Sequence, residues 1–204
     1  IDMSKRLTKE KLDPVIHATP TLREKVKEAR SRDSGNTTYR KEFLGGFLNI
    51  LWANSSAGAR STSAPRIVLD EVDEYEQDVG DQGHPCDLIE KRTAAYARYK
   101  IFELSTPTLE DTSRIERDYQ LGSQGHYHVP CPHCWHYQHL VWERLLYTFD
   151  GVKRPEDAAY QCEGCQQLIA ESYKSWMMDS ARAKWVHAYP ERVEETASFH
   201  LNLL

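Results

Sequence analysis

Two Cys-x-x-Cys pairs constrain this chain more than any other feature. Cys131 and Cys134 stand in "CPHC", and Cys162 and Cys165 stand in "CEGC". Each two-residue spacer lets both sulfurs reach one ion from a tight turn. Four thiolates around Zn2+ make a closed structural site with Zn–S of about 2.3 Å. The chain holds five cysteines, an odd number, and its first residues, "IDMSKRLTKEK", are too polar for a signal peptide. A reducing compartment follows, where metal binding is favoured over disulfides. A redox CxxC would leave the second pair unexplained. An iron–sulfur cluster would also use four thiolates, but the flanks favour zinc: Tyr127 and Val129 precede the first pair, "HLVWE" follows it, and Tyr160 and "LIA" surround the second. Those flanks predict short hairpins bearing the pairs, a zinc ribbon. Gly164 suits a turn with positive φ, and Pro132 stiffens the other. With four protein ligands the ion has no open position, so its role is structural. Cys86 reads as a small buried hydrophobe. His126, His128, His133, His136 and His139 read as surface or packing residues, with His133 pointing outward.

Upstream of the pairs the pattern changes. "TLREKVKEAR" (21–30) predicts a helix with Leu22, Val26 and Ala29 on one face, and 31–40 reads as a loop. After Gly45 and Gly46, "FLNILW" predicts a strand, and residues 53–65, rich in Gly, Ser and Asn, a loop. "RIVLDE" predicts the next strand, Pro85 to Tyr99 a helix, and "KIFELST" a further strand. Ser113 followed by Glu116 is a capping box that opens a helix. Strand, loop, strand, helix, strand, helix predicts an α/β unit with a mostly parallel sheet. A boundary is expected near Gln120 to Gln124. The net charge of −5 gives no basic footprint, and no apolar run approaches the ~18 residues of a membrane span.

The strand "RIVLDE" runs three apolar residues directly into Asp70 and Glu71. In an open parallel sheet ligands gather beyond the carboxyl ends of strands. Asp70 there suits a Mg2+ held through its water shell. Glu71 suits a water that attacks a γ-phosphoryl group. The plainer alternative is that strands often end in acids because loops are polar. "ELSTPT" (103–108) ends the next strand with small hydroxyl residues placed to sense a phosphate, and "NSSAGARS" brings Arg60. No GxxxxGK[ST] phosphate loop occurs in the sequence.

Together, "GGFLNILWANSSAGARS", "RIVLDEVDEY", the stretch from "EKRTAAYARYKIFELSTPT" through "CPHCWHYQHLVWE", and the terminal "SFHLNLL" resemble the large terminase subunit of lambda-type tailed phages. The likeness runs from about Leu12 onward. That family packages concatemeric viral DNA into capsids with an N-terminal ATPase and cuts it with a C-terminal metal-dependent nuclease. The resemblance implies that Asp70 is the Walker B magnesium residue and Glu71 the catalytic glutamate. Ser105, Thr106 and Pro107 become the coupling motif, and Arg60 a more weakly matched contact to phosphate or DNA. It implies a partial P-loop-type ATPase core with a mostly parallel sheet over residues 1–122. A four-cysteine zinc ribbon over 123–175 and a linker or start of the nuclease over 176–204 would follow. Zn2+, Mg2+ and ATP are the implied cofactors. Double-stranded viral DNA, a small terminase subunit, the capsid portal and a homo-oligomeric ring are the implied partners, with no membrane, in the bacterial host cytoplasm. The Walker A segment and the nuclease acids are missing, so a piece of a longer protein, inactive as an ATPase by itself, is expected. Lys153 and Arg154 read as a solvated turn ahead of a phosphate contact. Two alternatives stay open. One is a zinc-ribbon module that binds nucleic acid or protein on a non-catalytic α/β scaffold. The other, a helicase-like ATPase, fits less well, since nothing resembles a second helicase domain.

Overall fold

Short connections dictate most of this fold, because a two-residue turn can only return the chain antiparallel. The computed structural model describes residues 3–26, 36–53, 62–109, 111–147 and 158–202. Arg60, Lys153 and Arg154 lie outside them. The chain divides into two compact units, Ile1–Thr106 and Pro107–Leu204.

The first unit opens with helical segments: α1 (Met3–Leu7), a π-helical turn (Thr8–Leu12), α2 (Asp13–Ala18) and α3 (Pro20–Lys25). Proline in the first turn of α2 and of α3 costs no hydrogen bond there. The helix expected over 21–30 ends at Lys25, because Val26 turns extended and bridges Phe43. Strands β1 (Arg40–Phe43) and β2 (Gly46–Asn49) form an antiparallel hairpin. Gly45, at φ +89°, supplies the positive φ that its tight turn demands. Lys41, nearly buried, reaches Asp13 at 2.8 Å.

Strands β3 (Arg66–Asp70) and β4 (Lys100–Leu104) pair in parallel, Val68 opposite Phe102 and Asp70 opposite Leu104. Their crossover carries a 3-10 turn (Val72–Glu74) and α4 (Pro85–Glu90). The His84 side chain caps α4 by accepting from the Cys86 N–H, and Cys86 is fully buried, as its sequence context suggested. The helix stops well short of Tyr99. The Thr93 hydroxyl donates to the Glu90 carbonyl, and the chain tightens into a 3-10 turn over Lys91–Thr93.

The second unit begins with α5 (Arg114–Leu121), capped as expected by Ser113 Oγ accepting from the Glu116 N–H at 3.1 Å. Strand β5 (Gly125–Pro130) is its spine. On one side lies β10 (Lys184–His187), antiparallel; β6 (Tyr137–His139), antiparallel, and β11 (Phe199–His200), parallel, pair with its two ends. A second sheet joins β7 (Leu145–Leu146), β8 (Ala159–Gln161) and β9 (Leu168–Ala170), all antiparallel. A short helix, α6 (Lys174–Met177), brings Met177 into a core of Val129, Leu140, Tyr160 and Ile169 with Cys131 and Cys162. The stretch read as a linker, 176–204, thus includes β10 and β11, both paired with β5.

The fold is mixed α/β, and β3, α4, β4 and α5 follow in the expected order. The described residues do not assemble into a mostly parallel sheet. Among the described residues parallel pairing is confined to β3–β4 and β5–β11. The strand expected at "FLNILW" instead folds onto β1, since the Leu44–Gly45 turn leaves no room for a crossover.

Candidate functional site

The four cysteines converge. Each pair occupies the turn of a hairpin, β5–β6 for Cys131 and Cys134 and β8–β9 for Cys162 and Cys165. All four Sγ atoms lie within 4.8 Å of one another. Cys131 Sγ is 3.9 Å from Cys165 Sγ, and Cys134 Sγ is 3.8 Å from Cys162 Sγ. A tetrahedron with Zn–S of about 2.3 Å has S···S edges of about 3.8 Å, and these two separations match it.

The two turns share one local design. The backbone N–H of His133 points to Cys131 Sγ at 3.4 Å, and that of Cys165 to Cys162 Sγ at 3.5 Å. Trp135 donates to the Cys131 carbonyl, and Gln166 to the Cys162 carbonyl. The residue after each second cysteine, Trp135 or Gln166, takes φ +62°. The positive φ expected at Gly164 therefore falls on Gln166. Gly164 is needed for space instead: a Cβ there would lie 2.8 Å from His136 Cβ and Cγ. The turns are tied together by Gln138, almost wholly buried, whose Oε1 accepts from the Glu163 N–H at 2.8 Å. His133 is exposed, its Nε2 3.3 Å from the Leu168 carbonyl.

The thiols do not titrate alike. Burial pushes Cys131 up to about 12. Burial also raises Cys162, but the amide of Cys165, the Cys131 thiol and the amide of Gly164 outweigh it and bring it down to about 7. Four adjacent thiols cannot all ionise without a cation among them. That chemistry is the one a thiolate-bound metal completes.

A second cluster escaped the sequence, which offered five nearby histidines and no reason to choose. His126 on β5, His139 on β6 and His200 on β11 each place a ring nitrogen within 4.8 Å of the other two. Burial, with the neighbouring imidazoles adding to it, pushes His126 and His139 below the usual histidine range. The only clue was strand register, invisible before pairing was known.

In the first unit, Asp70 ends β3 and Glu71 leaves it in the left-handed region, φ 56° and ψ 51°. Both side chains are exposed, while Leu69 and Val72 on either side are buried. The left-handed step breaks the strand's alternation immediately after Asp70. Ser105, just past β4, accepts the Asp73 N–H on its Oγ at 3.2 Å, and its own hydroxyl leans to the Thr106 carbonyl. Pro107 begins the second unit. Tyr75 lies nearby; burial, with Cys86 contributing, pushes its phenol up to about 12.

Comparison with protein families matches residues 1–185 to the phage terminase large subunit gpA, ATPase domain. The chain is 28% identical over 188 residues to the large terminase subunit of Enterobacteria phage P21, covering 87% of this chain and 28% of that protein. It is 26% identical over 212 residues to the large terminase subunit of Escherichia phage lambda, covering 93% of this chain and 32% of that protein. The chain thus spans under a third of the length of these curated relatives. No solved structure matches it significantly. With the family match running through most of its length, this chain belongs to the ATPase-domain family of the phage terminase large subunit gpA.

Proposed function

We propose that this chain is the part of a viral DNA-packaging ATPase that carries the Walker B carboxylates, the coupling segment and a zinc ribbon. Family membership supports ATP hydrolysis as the activity. The observation that most favours the finer assignment is the hydrogen bond from the Asp73 N–H to Ser105 Oγ. It joins the turn after Asp70–Glu71 to the segment after β4, as a relay from phosphate to the rest of the motor requires.

Asp70 would hold Mg2+, and the bound ion would neutralise charge on the phosphates. Glu71 orients the attacking water and accepts its proton. Its left-handed backbone supports a working role, because such strain persists where function needs it. Ser105, Thr106 and Pro107 pass the change onward, and Arg60 reaches phosphate. Cys131, Cys134, Cys162 and Cys165 hold a structural Zn2+. Residues 1–122 are the motor portion, 123–175 the ribbon and 176–204 the approach to a nuclease. The working assembly is a homo-oligomeric ring on the capsid portal, with double-stranded viral DNA and the small terminase subunit, in the host cytoplasm. The whole subunit is also an endonuclease. Lacking a GxxxxGK[ST] motif, this chain alone hydrolyses no ATP.

The test is Glu71→Gln in the whole terminase subunit. ATP binding is expected to persist while turnover falls roughly 10²–10⁴-fold, the usual contribution of a general base. Turnover equal to that of the unmodified subunit would leave the carboxylates as a polar strand end and favour a ribbon-bearing binding module on a non-catalytic scaffold.

A further inference from the structure

Three imidazoles from three separate strands meet on one edge of β5. His200 on β11 is the register partner of His126, and His139 on β6 is the register partner of His128, so β11 and β6 share that edge. The His126 and His139 rings lie 4.3 Å apart, and the His126 and His200 rings 5.5 Å. Every one of the three offers a nitrogen within 4.8 Å of the others. A tetrahedral ion with metal–nitrogen bonds of about 2.0–2.1 Å needs nitrogens about 3.3 Å apart, within reach of small ring rotations.

The second observation concerns His126 itself. Its Nε2 lies 3.0 Å from the Tyr119 hydroxyl, while its Nδ1 is buried with no hydrogen-bond partner. A buried ring nitrogen left unpaired costs free energy unless something occupies it. If Nε2 carries the proton and donates it to Tyr119, the lone pair sits on Nδ1. Metal-bound histidines are held in the same way, with the far nitrogen donating to an outer partner. The Asn202 amide N–H approaches His139 Nε2 at 3.5 Å, a contact long enough to yield to an ion.

We infer that His126, His139 and His200 form a second metal site, a three-imidazole site for a borderline first-row divalent ion such as Zn2+, distinct from the four-thiolate centre. Imidazole donors suit Zn2+, Cu2+ and Ni2+ over Mg2+ or Ca2+. Three protein ligands leave a fourth position open to water or an anionic oxygen, unlike the closed thiolate centre. An ion there ties β11 to β5 and β6. It therefore fastens the last described strand of the unit to the sheet that bears the first cysteine turn. The site depends on neither Asp70 nor Glu71 and stands or falls apart from the motor assignment.

The test is metal stoichiometry on the tag-free 204-residue chain, saturated with Zn2+ or Co2+ and cleared of free ion. Two equivalents per chain are expected. Cobalt in the first should show intense sulfur-to-metal charge transfer, and cobalt in the second only the weak ligand-field bands of nitrogen and oxygen donors. His200→Ala, at an exposed position, should lose the second equivalent and keep the first, with unchanged circular dichroism. His139→Ala should do the same. Tyr119→Phe should weaken the second ion by about 10–100-fold. A single equivalent in the unmodified chain, two equivalents surviving in His139→Ala/His200→Ala, or unaltered affinity in Tyr119→Phe would each overturn the site.

Discussion

Glu71 illustrates how much one backbone angle decides. A non-glycine residue in the left-handed region sacrifices about 1–2 kcal/mol. Glu71→Gly is therefore expected to keep or raise the melting temperature of the chain, whereas Glu71→Val, β-branched at the same angle, should lower it by several degrees; thermal unfolding followed by circular dichroism checks both. Gly164 poses the opposite case. Its φ is ordinary, so the demand is for space, and Gly164→Ala must push the His136 ring away from the second cysteine turn. A cost of about 1–3 kcal/mol is expected from such overpacking, read as weaker Co2+ affinity at the thiolate centre. Tyr75 gives a pH prediction. Its phenol is raised in the folded state to about 12, so its contribution is fully present below the unfolded value of 10.0 and is lost as pH rises toward 12. The loss of stability between those values should be shallower in Tyr75→Phe, measured by alkaline denaturation.

At the scale of elements, β3 and β4 stand out as a parallel pair with one uncovered face. Val68 is 69% exposed and Phe102 58%, and register sets them side by side. Parallel strands are normally covered on both faces. The apolar runs "RIVL" and "KIFEL" were legible as strands from their unbroken hydrophobic character, but that character alone did not reveal that one face stays exposed. The isolated chain is expected to bind a hydrophobic fluorescent dye, and Val68→Ser/Phe102→Ser should cut that signal severalfold without loss of secondary structure. The helices were legible where a cap announces them, as at Ser113. They were overextended where a hydroxyl closes the turn early, as at Thr93, since propensity is read residue by residue and the competing side-chain bond is not.

Across the whole molecule, the two units rest on different physics. The second has a core whose members include two of the four thiol ligands, so metal and packing are one cooperative system there. Zinc in such sites contributes about 10–16 kcal/mol of apparent binding free energy. Chelation, or Cys131→Ser, should collapse that core. Trp176, packed against it, and Trp135, edge-on to Trp176 at 5.3 Å, should then shift their fluorescence to the red. An unshifted spectrum after full zinc removal would show that packing alone holds the unit. No helix among the described residues is long and apolar enough to cross a membrane.

What could be read from residues alone was whatever is local or spaced along the chain: the two cysteine turns, the helix caps, the apolar strands and the acids that end one of them. A two-residue spacer or a capping serine acts over one turn of backbone, so its consequence is written next to it. Folding in three dimensions decided the rest. Antiparallel hairpins displaced the expected sheet, positive φ settled on Gln166 in place of Gly164, and His126, His139 and His200 met across strands far apart in sequence. Those outcomes depend on how strands from different segments pair and in what register, which the spacing of any single segment does not encode.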